Sequence, residues 1–137
     1  MRWSDLALKI EIALRATGYV YSVYEGDVYD IWNNSEVQYV SACYDEVSLT
    51  QESGDGLDTY NVMVYVADRL TEDNSNSRQA RDFAYAVLKM AVATLRQYQP
   101  ILVSYSDFTP FVQKFADNLA GYYTRLSITV PSDIQNC

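Results

Sequence analysis

The side chains best suited to chemistry cluster in the stretch DRLTEDNSN, residues 68–76. Carboxylate and amide oxygens are the ligands that Ca²⁺ prefers, so calcium binding is the first chemistry to consider. The spacing does not match an EF-hand loop, because no Gly follows the polar run and no Glu occupies the closing position. The stretch therefore predicts an acidic turn ahead of a helix, whose positive end stabilises nearby carboxylates. The oxygen-bearing side chains are those of Asp68, Glu72, Asp73, Asn74 and Asn76.

Two opposite charges, Asp68 and Arg69, end the apolar strand pattern that precedes this turn. We expect both to be structural, because charged groups in such a place gain most from charge-assisted hydrogen bonds. They either bond to the neighbouring backbone and fix the turn, or pair across a subunit boundary. No nucleophile or base accompanies them, which argues against catalysis. Glu72, Asp73 and Asn76 are the further candidates for the same two roles.

The composition excludes most catalytic and metal-binding chemistry. The chain has no histidine, which removes the Ser-His-Asp and Cys-His triads and most zinc sites. Asp45 and Glu46 are adjacent, so on a strand they point to opposite faces and cannot act as a carboxylate pair. The segment SGDGLD (residues 53–58) lacks the lysine and the following helix of a phosphate-binding loop. We therefore expect a protein that is not an enzyme and that uses no cofactor or metal.

The hydrophobic periodicity predicts one α+β domain over residues 1–137, with the element order α-β-β-β-β-α-β-β. The expected fold is a mixed or antiparallel β-sheet of five to six strands packed against a long α-helix, with a shorter N-terminal helix. The helices are predicted at 4–16, between Ser4 as cap and Gly18 as stop, and at 77–97, with Asn76 as cap. The predicted strands are 19–24 and 28–32 as a hairpin, 37–49 with a bulge midway, 60–66 in the sheet centre, 108–115 and 122–130.

The second predicted helix carries more apolar surface than a sheet requires. Its segment 83–95 is apolar nearly all round, whereas a helix resting on one sheet needs a single apolar stripe. A second surface is therefore expected to pack against it, either the first helix of the same chain or a neighbouring subunit. The segment contains Lys89 and is too short to span a bilayer, and residues 1–17 lack a secretory signal. We expect a soluble protein with no membrane partner.

The acidic residues and the tyrosines bear on the class of function. Residues 25–82 hold thirteen Asp and Glu against three Arg, and the formal charge of the chain is −8. Such a surface repels phosphate, so tight nucleic-acid binding is not expected, although DNA could slide past it. Tyr keeps its hydroxyl wet while burying its ring, which suits interface rims, sugar platforms and equally the edge of a core. Eight of the thirteen tyrosines lie on the strands predicted between residues 19 and 66: Tyr19, Tyr21, Tyr24, Tyr29, Tyr39, Tyr44, Tyr60 and Tyr65.

Two long strings resemble a known family. YNVMVYVADRLTEDNSN (residues 60–76), which leads into the long helix, and FTPFVQKFADNLAGYYTRLSITV (residues 108–130) are similar to segments of tail-terminator and head–tail joining proteins of tailed bacteriophages, especially crAss-like and related gut phages. The resemblance covers residues 4–130. It implies a sheet with a long helix packed on it and a closing strand, assembled as a ring in the neck or tail of the virion. It carries over no catalytic residues.

This resemblance implies a structural role with defined partners. The chain is expected to form a homo-oligomeric ring, a hexamer or dodecamer, assembled in the host cytoplasm between neighbouring neck, portal or tail proteins. DNA would pass through its lumen without specific binding, past a wall that carries acids of the segment 25–82. Glu52, Asp55 and Asp58 are the candidates for that wall. The alternative function is an acidic, Tyr-rich, non-catalytic binding module for a protein or carbohydrate partner.

Overall fold

A computed structural model describes residues 1–34, 36–52, 56–114 and 117–132 of the chain. Within these ranges the backbone forms three helices and six strands. The helices are α1 (Trp3–Arg15), α2 (Val28–Ile31) and α3 (Ser77–Leu95). The strands are β1 (Ser22–Glu25), β2 (Ser41–Glu52), β3 (Leu57–Arg69), β4 (Leu102–Tyr105), β5 (Thr109–Lys114) and β6 (Asn118–Pro131).

All six strands belong to one open sheet in the order β1-β2-β3-β6-β4, and β5 pairs with the same edge of β6 as β4 does. Only β1 and β2 run parallel, and the other described pairs are antiparallel. This α+β arrangement, with a long helix and a shorter N-terminal helix, confirms the predicted fold class. The predicted element order is wrong in two places, because α2 stands where a strand was expected and β4 was not predicted. Strand β3 lies between β2 and β6, as expected for a central strand.

The centre of the sheet follows from alternation along β3 and β6. Val62 and Val64 are buried on one face of β3, and Val62 is paired in register with Leu126 of β6. Side chains of a strand alternate between faces, so the even-numbered residues of both strands collect on one side of the sheet. We call this side the helix face, because α1 and α3 pack on it.

The helices bury the stripes that the sequence predicts. Leu6, Ile10, Ala13 and Leu14 of α1 are all buried, and Gly18 follows the helix with φ +81°. Ser4 lies inside α1 rather than at its cap, because the helix begins one residue earlier and Arg2 occupies the N-cap position. The buried residues of α3 are Ala80, Ala84, Val87, Leu88, Ala91, Val92 and Leu95.

The excess apolar surface of α3 is met in part by α1 of the same chain. The two helices pack together over the sheet and share one hydrophobic core. Tyr85 and Met90 of α3, and Leu8 and Ile12 of α1, nevertheless remain exposed. Both helices therefore keep apolar side chains on the outer surface of this chain.

The predicted hairpin of 19–24 with 28–32 is wrong. Strand β1 pairs with β2 in parallel, and residues Val28–Ile31 form the short helix α2. The apolar positions Val28 and Trp32 lie four residues apart, a spacing that fits a strand and a helix equally well. The structure has the helix, and the side chain of Asp27 caps it by accepting a hydrogen bond from the Tyr29 amide at 2.8 Å.

The strand predicted at 37–49 with a bulge midway corresponds to β2. The pairing register shifts between Glu46 and Ser48, which confirms the bulge midway along the predicted strand. Strand β2 continues to Glu52, beyond the predicted end at residue 49. The strand predicted at 108–115 is confirmed as β5, which pairs with β6 as its hairpin partner.

A second hydrophobic cluster covers part of the opposite side of the sheet, which we call the open face. Here α2 and the segment after it pack against odd-numbered strand residues. The sequence analysis predicted no second core, since it placed residues 28–32 in the sheet itself. The buried members of this cluster are Val28, Trp32, Val37, Cys43, Ala67 and Leu119.

Candidate functional site

The turn between β3 and α3 is fixed by the side chain of Asn76. Its amide oxygen accepts a hydrogen bond from the Thr71 backbone N–H at 2.8 Å, and its amide nitrogen donates to the Arg69 carbonyl at 3.0 Å. Asn76 occupies the N-cap position of α3, but its side chain makes no hydrogen bond to the helix. The Asn76 side chain therefore connects the N-terminus of α3 to the end of β3.

Asp73 organises the tip of the same turn. One of its carboxylate oxygens accepts from the Thr71 hydroxyl at 2.7 Å and from the Ser75 backbone N–H at 3.1 Å. These bonds, that of Thr71 first, lower the pKa of Asp73 to about 2. Asn74 beside it has φ +58°, a conformation that Asn tolerates better than most residues. Glu72 is exposed in this turn.

The side chains of Asp68 and Arg69 do not bond to each other in the described part of the chain. The Asp68 carboxylate accepts from the Arg69 backbone N–H at 2.8 Å, whereas the guanidinium lies 3.3 Å from the carboxylate of Asp117. The guanidinium also lies over the ring of Tyr39, 5.6 Å from its centroid. Arg69 thus links the end of β3 to the β5–β6 hairpin and to the segment before β2.

Tyr39 forms the floor of a shallow depression beside this pair, together with Glu36 and Asp68. Among the described residues its hydroxyl has no hydrogen-bond partner, although the oxygen is buried. Burial first, and then the charge of Asp117, raises the pKa of Tyr39 to about 12. The Tyr39 hydroxyl therefore stays protonated and available as a donor.

The three candidates for a channel wall fall in different environments. Asp58 is only 6% exposed and lies on the helix face of β3, because even-numbered residues of this strand point there. This burial is at odds with the expected place of Asp58 on a channel wall. Glu52 is the last residue of β2, with its side chain outside the described part of the chain, and Asp55 lies wholly outside the described residues.

An aromatic groove lies on the open face of the sheet. It has a volume of about 300 Å³, and its residues come from α2, β3, β5 and β6. Aromatic rings form its base: Tyr65 lies 5.2 Å from Tyr123 and 6.2 Å from Phe111, centroid to centroid. Trp32 stacks on Phe111 at 6.2 Å and is itself fully buried. Its aromatic lining residues are Tyr29, Trp32, Tyr65, Phe111 and Tyr123.

Polar groups stand along this groove. Thr109 and Gln113 of β5 line one wall, and the exposed Tyr29 lines the other. Burial, followed by the nearby Tyr123 and Tyr29, raises the pKa of Tyr65, which places these phenols close together. At neutral pH the groove therefore offers aromatic faces and neutral hydrogen-bonding groups.

A smaller acidic depression continues the groove along the sheet. Its volume is about 160 Å³, and Asp27, Asp45 and Met63 contribute to its walls. Burial first, and then Asp45 and Asp27, raises the pKa of the neighbouring Cys43 to about 12. That thiol is buried and donates to the Gly26 carbonyl at 3.3 Å, so it remains an inert thiol.

The groove was not predicted from the sequence, although several tyrosines were assigned to strands. Tyr24, Tyr44, Tyr60 and Tyr65 are on strands as predicted, whereas Tyr29 is on α2, and Tyr19, Tyr21 and Tyr39 lie outside the strands. The sequence feature that could have indicated the groove is the series of apolar residues at odd-numbered positions of the two central strands. Met63 and Tyr65 alternate with Val62 and Val64, which indicates a second face that also needs cover.

Neither a cluster of metal-ligating side chains nor a membrane-spanning helix is found in the part of the chain that the structure describes. No group of three or more Asp, Glu or Cys within the described ranges could hold a metal ion. None of the described helices is both long and apolar enough to cross a membrane. Comparison with known proteins finds no family model that matches the chain and no curated protein that is similar to it.

Proposed function

We propose that the chain is a structural subunit of a bacteriophage virion that forms a ring in the neck or tail, of the tail-terminator or head–tail connector type. The two strings described above carry the resemblance. One structural observation supports it: the sheet has two different open edges on opposite sides of the molecule, and both carry exposed apolar side chains. In this role the protein is not an enzyme and joins head to tail around the DNA channel.

The first open edge belongs to β2. Strand β1 covers β2 only over Ser41–Tyr44, and no strand in the described ranges pairs with its outer side beyond that point. Val47 and Leu49 on this free stretch are 49% and 41% exposed. An uncovered strand edge with apolar side chains is a ready template for pairing with another chain.

The second open edge belongs to β4 and β5, which lie end to end along β6. Leu102 of β4 is 68% exposed and Val112 of β5 is 60% exposed. The described residues include no strand on the outer side of either element. This edge differs in sequence and position from the β2 edge.

Two unlike surfaces are what a ring requires. A contact between different patches repeats from subunit to subunit and closes when the rotation between subunits completes a circle. A twofold dimer would instead need one self-complementary patch. The β2 edge of one subunit and the β4–β5 edge of the next provide such a heterologous contact, and a hexamer or dodecamer is the proposed product.

The acidic charge fits a channel that DNA must cross. A basic wall would hold phosphates and make passage slow and dependent on salt, whereas an acidic wall repels the strand. With Asp58 buried, the proposed wall acids are Glu52, the last residue of β2, and Asp55, which lies outside the described residues. The upper and lower faces of the ring would contact the neighbouring neck, portal or tail proteins.

Mass photometry and negative-stain microscopy of the purified protein test this proposal. We expect closed rings, and we expect Leu102→Asp to reduce them to monomers without unfolding the chain. Leu8→Asp is the matched control, because Leu8 is comparably exposed but lies on helix α1 and not on a sheet strand. Protein that stays monomeric at all accessible concentrations would contradict the proposal, as would rings that persist in Leu102→Asp.

The aromatic groove favours a second candidate function, that of a non-catalytic binding module. It is concave, lined by aromatic rings and supplied with a few polar groups, as binding sites generally are. This function is compatible with a place in a ring, where the groove would bind a neighbouring component. Binding of a partner to the isolated subunit, in the absence of ring formation, would favour it over the ring.

A further inference from the structure

We propose that the aromatic groove and the acidic depression form one continuous site for an arginine or lysine side chain on an extended segment of a partner protein. This inference deepens the binding function proposed second and does not require a ring. It assigns the chemical class of the ligand, which neither the fold nor the comparisons supply.

The two hollows adjoin along shared walls. Val28, Tyr29 and Tyr65 line both, so a ligand can occupy the groove and reach the depression without leaving the protein surface. Tyr29 is 55% exposed at this junction. Its ring is therefore accessible to a side chain that passes from one hollow to the other.

The groove end of the site provides aromatic faces. Tyr65 and Tyr123 lie with centroids 5.2 Å apart, and Phe111 lies 6.2 Å from each of them. The face of such a ring carries negative potential, which attracts a guanidinium or ammonium group within about 6 Å. The described residues already make this kind of contact at four places, for example where the guanidinium of Arg69 lies over Tyr39.

The other end provides the complementary charge. Asp27 and Asp45 line the depression, and no lysine or arginine is among the described residues that line either hollow. Both residues line the same depression, which places them together on one side of the sheet. This charge selects a cation over a neutral sugar or an acidic peptide.

The surroundings favour a protein segment over a free small molecule. Thr109, Pro110 and Gln113 of β5 border the groove, and the outer edge of β5 is open. In a subunit whose β5 edge is not covered by a neighbouring subunit, an extended chain can bond to that edge with its backbone while a side chain enters the site. The ligand thus gains affinity from the strand edge and specificity from the groove.

The test is an NMR titration of isotope-labelled full-length protein with short synthetic peptides. The probes are acetyl-Gly-Gly-Arg-Gly-Gly-amide, its lysine analogue, and an analogue with citrulline, which keeps the shape of arginine but has no charge. We expect the arginine peptide to shift backbone amides of residues that line the two hollows, with millimolar affinity. The citrulline peptide should leave them unmoved, and added salt should weaken the arginine complex.

Two variants test the two ends of the site. Tyr29→Leu should weaken arginine-peptide binding by about 3-fold to 30-fold, the range expected for one cation–π contact. Asp45→Asn should weaken it by about 2-fold to 5-fold, the range expected for a partly exposed ion pair. Tyr21→Leu and Asp30→Asn are the matched controls, because both residues are exposed and neither lines the site. Asp27 is left intact, since it caps α2.

Several results would overturn the proposal while the ring stands or falls separately. Equal binding of the citrulline peptide would remove the charge argument. Absence of any shift with the arginine and lysine peptides in folded protein would refute the site, and binding of an N-acetylglucosamine oligomer instead would assign it to carbohydrate. Particle mass measured on the same samples reports ring assembly independently.

Discussion

The side-chain oxygen of Asn76 accepts a hydrogen bond from the Thr71 backbone N–H at 2.8 Å, across the turn that joins the central strand to the long helix. The same side chain donates to the Arg69 carbonyl at 3.0 Å. One amide group therefore satisfies both a donor and an acceptor of the backbone where the regular bonds of β3 end. No carboxylate could make this pair of bonds, because an ionised carboxylate cannot donate.

Replacement of Asn76 by Ala is expected to lower the free energy of unfolding by about 1–2 kcal/mol, because two hydrogen bonds to backbone groups are lost. Urea unfolding followed by circular dichroism measures the change. Gln79→Ala is the control, since Gln79 is exposed on the first turn of α3, and it should change stability by a few tenths of a kcal/mol. Equal stability of Asn76→Ala and wild type would show that the turn holds without this side chain.

Asp73 should make stability depend on pH in the acid range. Its folded pKa of about 2 lies below the ordinary value of 3.8, because Thr71 and Ser75 donate to the carboxylate. The stabilisation is present above pH 3.8 and is lost as the pH falls through the folded pKa. Asp73→Asn should therefore flatten the loss of stability between these two pH values.

Urea unfolding at a series of pH values checks this expectation. Glu72→Gln is the matched control, because it removes one exposed acid from the same turn without touching the bonds of Asp73. If the two variants flatten the acid limb equally, general charge repulsion explains the effect and the hydrogen bonds of Asp73 do not.

Gly121 should tolerate no side chain. A Cβ atom at this position would lie 1.8 Å from the carbonyl oxygen of Val66 and 2.8 Å from the Cα of Ala67, both backbone atoms of the neighbouring strand. Gly121→Ala must therefore move β6 away from β3, and we expect a loss of about 3 kcal/mol or more, the range of severe core disruption.

Gly18→Ala provides the comparison for this prediction. Gly18 has φ +81° with no atom within 4 Å of a built Cβ, so its replacement carries only a conformational cost of about 1–2 kcal/mol. Thermal unfolding of both variants should rank Gly121→Ala well below Gly18→Ala. The reverse ranking would show that the two strands can separate at little cost.

Arg69 and Asp117 should couple only weakly in the free subunit. Their side chains are 53% and 27% exposed and lie 3.3 Å apart, so solvent screens the pair. A double-mutant cycle with Arg69→Ala and Asp117→Ala should give a coupling energy of about 0.2–1 kcal/mol. This is less than a buried pair would give.

The same variants separate a turn-fixing role from an intersubunit role. If Arg69 only fixes the fold of its own subunit, ring formation should follow monomer stability in all three variants. A loss of rings in Arg69→Ala at unchanged monomer stability would instead place Arg69 at a subunit boundary. Particle mass and urea unfolding, measured on the same preparations, give the two readouts.

Helices and strands could be predicted from the sequence where the apolar residues fit either the helical period or the strand period, but not both. The stripe Leu6, Ile10, Ala13 and Leu14 has helical spacing, and the alternation of Val62, Val64 and Val66 fits only a strand. The bulge in β2 and the pairing of β5 with β6 were also predictable, because turn-forming residues bound these runs. From these elements the α+β class follows, since a long amphipathic helix must bury its stripe against a sheet.

The helical fold of residues 28–32, and their packing on the open face of the sheet, depend on tertiary contacts. Val28 and Trp32 have a spacing common to both periods, so local pattern could not choose between strand and helix. The burial of Asp58 is a similar case, because a turn-like composition concealed a strand that begins at Leu57. The aromatic groove joins α2, β3, β5 and β6, and strand order sets its geometry. Strand order depends on contacts between residues far apart in the chain, which no local period records.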